Sequence, residues 1–396
     1  MTDALVVLLT VLTAVVLALP LVRRNTLWQA TVTPLASIIG SGFLVLGPIL
    51  TSEYGSYAPL VMAMLCLAAW SFGAAVRSNI RVRAEKAERS QAEEWLEAAA
   101  SWALAFAYVV SVAYYLNLFG AFALHLTPFD SPFEARLLTT AMFALILVVG
   151  WGFGFKALER METVTVGLKL AIIAGLIAGL SIFVYGLWRS GGLNDNPEPS
   201  TAWHGIALAF GLIVTVQGFE TSRYLGKTYD APTRIASMRL AQAVSAAIYL
   251  VYIGLLTVGF PAGEGHLTET AIIDMMGVVA PILPLMLVAA ALAAQFSAAV
   301  ADTGGSGGLV VELTRGRLSQ RQAYAVLCLL GTGLTWTSNV FAIIAYASRA
   351  FALYYALQAA IAAIAMHRAK RPARALAFVL LVCLGAAIVV FGIPAE

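Results

Sequence analysis

The length of its apolar runs constrains this chain more than any other feature. Twelve blocks of mostly apolar residues follow one another, at approximately 5–22, 31–50, 58–76, 98–124, 137–155, 164–187, 203–225, 236–260, 278–301, 323–336, 341–366 and 376–391. About 20 such residues are what one α-helix needs to cross a bilayer. The tenth block is short, which leaves a tilted or partly re-entrant segment open. The runs are continuous rather than alternating, so helices are expected rather than a barrel. Only 11% of the 396 residues are charged, against roughly 25% in a typical soluble domain. The expectation is an all-α integral membrane protein with about 12 transmembrane helices.

The basic residues orient the spans. If the side carrying Arg23-Arg24 faces the cytoplasm, all of the 24 Lys and Arg except Arg136, Lys169, Arg189 and Arg349 fall in inside loops. That asymmetry is the positive-inside pattern. It places both termini outside and the chain, multi-pass, in the cytoplasmic (inner) membrane. Asp3 and the abrupt Arg23-Arg24 stop make block 5–22 a retained helix rather than a signal peptide. The inside stretch 79–97 is helix-prone with mixed charge and is expected to lie along the membrane surface. The acidic stretch 263–274 is expected to form a short external helix. The net charge of +3 belongs to the cytoplasmic rims and is no nucleic-acid surface.

Enzyme chemistry finds little support. Cys66, Cys328 and Cys383 lie inside apolar blocks without zinc or redox spacing. There is no H-E-x-x-H pair or nucleophile elbow, and there are only four histidines. No metal or cofactor is expected.

Two spans are interrupted at membrane depth. The second reads Thr33-Pro34-Leu35-Ala36-Ser37-Ile38-Ile39-Gly40-Ser41-Gly42-Phe43, and the seventh reads Val214-Thr215-Val216-Gln217-Gly218-Phe219-Glu220-Thr221-Ser222. They are five spans apart and cross in opposite directions, as the opening helices of two inverted repeats do. Glycine within a membrane helix often only permits close packing. The matched second break, which carries a glutamate, tips the reading toward a binding site.

In 38–43 (IIGSGF) the sequence resembles the first core helix of amino acid/polyamine/organocation (APC) superfamily transporters. Residues 217–222 (QGFETS) with 227–236 (KTYDAPTRIA) look like that family's sixth core helix and the loop after it. Residues 154–170 (GFKALERMETVTVGLKL) are similar to its loop between core helices four and five. The resemblance implies a LeuT-like fold of two five-helix inverted repeats with discontinuous first and sixth core helices. An extra N-terminal helix would occupy 1–24, the repeats 25–190 and 191–368, and a peripheral helix 369–396. One C-terminal addition instead of the family's usual two leaves the oligomeric contacts open, a homodimer among them.

Unwound backbone in a membrane must line a cavity or meet a ligand. Past Gly42 a half-helix would present free N–H groups to a carboxylate. Before Gly218 another would present carbonyls to an ammonium. Ile39, Gly40, Ser41, Gly42, Val214, Gln217, Gly218, Phe219 and Glu220 are therefore the candidate substrate-binding residues. Glu220 reads equally as a gate, a proton-sensitive group or a cap on its own half-helix. Lys169 either snorkels to the rim or, as the resemblance implies, stands where sodium-coupled relatives hold their ion, bridging the first break to the eighth core helix near Ser297. Asp302 precedes a glycine run and fits a cytoplasmic gate or a helix cap. Arg349 is deep enough to need a partner, with Asp302, Glu220 and an anionic part of a substrate all open. Cationic-substrate members of the family carry an aromatic lid where this chain has Val214, so Phe219 or Phe296 would have to replace it. The reading is a carrier for a small amino acid or related amine, proton-coupled or exchanging. An inorganic-cation carrier on the same fold is the alternative.

Overall fold

The computed structural model describes residues 2–40, 42–85, 89–152, 162–196, 202–262 and 268–395, with no strand among them. Each predicted block coincides with a helix or a pair of half-helices. In order these are α1 (Thr2–Ala18), α2 (Thr26–Ile38), α3 (Gly42–Tyr54), α4 (Ala58–Ala84), α5 (Gln91–His125), α6 (Pro132–Gly152) and α7 (Glu162–Ser190). There follow α8 (Ala202–Gly211), α9 (Ala231–Gly259), α10 (Ala271–Val279), α11 (Leu283–Leu313), α12 (Gln320–Thr337), α13 (Val340–Arg368) and α14 (Pro372–Phe391). Two short 3₁₀ segments, Ile213–Val216 and Phe219–Lys227, lie between α8 and α9.

The sequence explains where these helices start. Ser90 and Glu93 form a reciprocal capping box at α5, as Ser319 and Gln322 do at α12. The Asp230 and Asn339 side chains accept N–H groups at the starts of α9 and α13. Because Ser90 starts α5 and α4 runs on to Ala84, no surface helix spans 79–97. That expectation is corrected: Arg81 and Arg83 sit at the end of α4, and Glu93, Glu94 and Glu97 at the start of α5. The stretch 263–274, expected to form an external helix, overlaps α10 only from Ala271 onward, and its residues 263–267 lie outside the described set.

α5 and α13 form the centre, and α14 the edge. In its most apolar window α13 is 67% buried, against 17% for α14. Small residues set the close approaches. Gly175 and Gly179 of α7 lie against Thr10 and Val6 of α1, and Gly385 of α14 lies against Ala356 of α13. Gly305 and Gly307 do not end α11. They admit the rings of Tyr108 and Tyr324 against its flank.

The charged groups gather at two ends. Glu97 of α5 pairs with Arg223, with Arg89 at 3.5 Å and with Arg83 at 4.0 Å. Arg368 pairs with Glu93 at 2.7 Å. At the opposite end Asn196 donates to the carbonyls of Thr257 and Phe260, and His125 lies 3.1 Å from Asp274.

Candidate functional site

At the first break α2 ends with Ile38, and Ile39 (φ −82°, ψ 56°) leaves the helix. The carbonyls released there are met by side chains from other spans. Lys169 Nζ donates to the carbonyl oxygens of Ala36 at 3.0 Å and Ile39 at 2.6 Å. Its residue is only 7% exposed, so the ammonium turns inward and does not snorkel. The Tyr249 hydroxyl of α9 lies 2.8 Å from the carbonyl of Ile38 and 2.8 Å from that of Thr215. One side chain thus touches both breaks.

The second break is built differently. α8 ends at Gly211, and Gly218 takes φ +113°, a conformation that glycine adopts without Cβ strain. Ser348 of α13 donates to the Gly211 carbonyl at 2.6 Å and accepts from the Val214 N–H at 3.0 Å. The Gly218 N–H donates to the Glu220 carboxylate at 2.9 Å, and the Tyr355 hydroxyl donates to the same oxygen at 2.7 Å. Gln217 Nε2 donates to the Tyr115 hydroxyl at 3.2 Å, and Phe219 stacks on Tyr355 with centroids 4.9 Å apart. Gln217 Oε1 and the second carboxylate oxygen of Glu220 are buried with no hydrogen-bond partner among the described residues. Such atoms are costly in a low-dielectric interior.

The two breaks press on each other. A Cβ on Gly218 would come within 2.5–2.6 Å of Ser37 atoms. One on Gly42 would meet the Tyr114 hydroxyl at 2.9 Å and Thr215 Cβ at 3.1 Å. Toward the basic end a cavity of about 480 Å³ starts under the first break, at Ala36, Ser37 and Lys169, and reaches Tyr224 and the exposed Glu312. Away from that end α3 is buried along most of its length. Phe43 packs on Tyr252 with centroids 4.3 Å apart, and Gly47 has no room for a side chain beside Leu256 and Tyr252.

Of the predicted residues, Lys169, Ser297 and Asp302 line this cavity. Ile39, Gly40, Gly42, Val214, Gln217, Gly218, Phe219 and Glu220 do not line it. They lie at the contact between the breaks. Ser41 falls outside the described residues, as does the part of the 154–170 resemblance before 162. The expected open gap between unpaired peptide groups is therefore corrected in this conformation. Lysine, tyrosine, serine and glutamate side chains meet the released groups named above. Phe296 is partly buried against the core and is not on the cavity wall.

Two pairings are also corrected. Asp302 accepts from Ser111 of α5 in mid-helix, so it caps nothing. Arg349 does not reach Glu220. Its Nε donates to the Gly392 carbonyl at 2.9 Å, at the C-terminal end of α14, where the helix dipole favours a cation. Sequence reasoning missed Tyr249 and Ser348. The available signal was a hydroxyl inside an apolar span, which must find a partner when buried.

Paired helix breaks, a buried ammonium on the first of them and a cavity leading to one end define a non-enzymatic membrane transporter. The profile of a family described as APC superfamily transporter matches residues 20–392, and the chain belongs to that superfamily. An uncharacterized protein of Aquifex aeolicus (strain VF5) is 40% identical over 390 residues, spanning 95% of this chain and 93% of that protein. Among solved structures the fold is similar to Mhp1, a nucleobase-cation-symport-1 family transporter in a closed conformation with bromovinylhydantoin bound. That likeness has a TM-score of 0.51 at 13% identity and covers 91% of each chain. The fold is LeuT-like, with α2–α3 and the segment from α8 to Lys227 as the discontinuous first and sixth core helices.

Proposed function

We propose that this transporter moves a small amino acid or related amine by alternating access, coupled to protons or to exchange rather than to sodium. The observation that carries the substrate class is the pair of buried, unpartnered acceptors at the second break, Gln217 Oε1 and one oxygen of Glu220. An ammonium or N–H donor would satisfy both. A carboxylate would find the N–H groups at the start of α3. The described conformation, with its cavity at the basic end, would be the inward-facing one. A substrate would bind when α2 moves away from Gly218 and opens the contact between the breaks.

Lys169 is the residue on which coupling would turn. Its ammonium meets carbonyls of Ala36 and Ile39, oxygen donors of the kind that coordinate a hard cation. A lysine there supplies fixed positive charge and leaves no need for sodium. Asp302, on the wall of the same cavity, is the candidate proton acceptor beside it.

Uptake of labelled amino acids and amines into proteoliposomes, under imposed proton or sodium gradients, tests the reading. Uptake that follows the proton gradient or internal substrate supports it. Potassium or divalent-metal flux without amino acid uptake would overturn it in favour of the inorganic-cation carrier. A hydantoin belongs in the same screen, because Mhp1, of similar fold, has bromovinylhydantoin bound.

A further inference from the structure

A second cavity, of about 860 Å³, opens at the basic end between α4, α9, α13 and α14. Six arginines line it (Arg77, Arg81, Arg239, Arg368, Arg371 and Arg374) against two carboxylates, Glu85 and Glu93. Glu93 is occupied by Arg368 and by the cap of α5. Among the described residues none of the other five arginines has an ion pair. Arg77 is 5% exposed, yet its guanidinium meets only neutral groups: the Gln242 side chain, the Trp70 carbonyl at 3.2 Å and the Trp70 ring at 4.9 Å. So many guanidinium groups in one recess repel one another unless an anion joins them.

We infer that this recess binds the phosphate of an anionic phospholipid. Guanidinium groups recognise phosphate through paired N–H donors. Basic recesses between spans on the cytoplasmic side bind anionic head groups. The walls decide for a lipid over a free anion. Phe378 and Ala377 of α14 and Met366 of α13 line the recess beside the arginines. The outward face of α14 exposes Leu376, Val379 and Leu380. A bound molecule therefore meets cations at one end and apolar surface, continuous with a lipid-facing helix, at the other. The lipid would tie the peripheral helix α14 to α4 and α9 of the core.

The test titrates the full-length protein in detergent with phosphatidylglycerol, phosphatidylcholine or inorganic phosphate, reading the shift in thermal unfolding. Saturable stabilisation by phosphatidylglycerol alone is expected. Arg371 and Arg374 are exposed at the start of α14, so the double variant R371Q/R374Q should fold. At roughly fivefold per basic residue it should bind about 30-fold more weakly. The variant R317Q/R321Q, in a different basic loop, should bind as the parent does. Equal stabilisation by inorganic phosphate would replace the lipid with a free anion. Equal weakening in R317Q/R321Q, or none in R371Q/R374Q, would show diffuse surface charge and remove the site.

Discussion

Replacing Lys169 with methionine keeps most of the apolar stem and removes only the ammonium. The interactions lost include two hydrogen bonds, at 3.0 Å and 2.6 Å, to the carbonyls of Ala36 and Ile39. Bonds to a charged group contribute about 1.5–3 kcal/mol each, so about 3–6 kcal/mol of interaction is forfeited. The variant also no longer desolvates a charge, and the residue borders a cavity where water can reach the carbonyls. The net destabilisation of this conformation should therefore fall to about 2–4 kcal/mol. At about 1.4 kcal/mol per decade, that shifts the balance between conformations by about 30- to 700-fold. The assay pairs thermal unfolding with uptake in proteoliposomes under a proton gradient. Lys169→Met should remain folded, unfold at lower temperature and lose proton-driven uptake. Lys169→Ala should do the same with a further packing loss. Normal, pH-responsive uptake in the methionine variant would refute the coupling argument.

Three further outcomes follow from the geometry. Gly218→Ala combines a positive φ with a Cβ inside 2.6 Å of Ser37, so it should cost several kcal/mol and abolish substrate binding in a thermal-shift assay. Gly254→Ala, where nothing lies within 4 Å, is the control, and wild-type affinity in Gly218→Ala would dismiss the contact between the breaks. Glu220→Gln preserves shape but gives up the charged acceptor, and should weaken amine binding about 10- to 150-fold in isothermal titration while leaving expression unchanged; unaltered affinity would count against Glu220 in the site. Removing Glu97 and Arg223 singly and together, as Glu97→Gln and Arg223→Gln, should reveal a coupling of about 0.5–3 kcal/mol in unfolding, and strictly additive effects would argue that the pair contributes nothing to stability.

The all-helical class and the positions of both breaks were legible because they rest on local composition; of the twelve blocks expected to span, eight described helices are long and apolar enough to cross a membrane. A run of apolar residues must be helical in lipid, and Gly218 stands where the backbone turns to positive φ. The place of Lys169 was legible only through the family resemblance, since one lysine near a span end is equally compatible with snorkelling. Side-chain partners were not legible. Whether Arg349 meets Glu220 or the Gly392 carbonyl depends on how α14 lies on α13, and nothing local to Arg349 encodes that. The glycine run of α11 misled for a similar reason. Glycine signals a helix end or a close approach alike, and the rings of Tyr108 and Tyr324 come from elsewhere in the chain. Tyr249 carries no motif at all, although its hydroxyl joins the two halves of the site.

A phenol has a single hydrogen to give, yet two carbonyl oxygens stand 2.8 Å from that of Tyr249. Only one of them can hold the proton fully at any instant. A small rotation of the O–H exchanges the Ile38 oxygen for the Thr215 oxygen without moving the ring. The seam is thereby held by one donor shared between two acceptors, a contact that can shift its weight from one half-helix to the other.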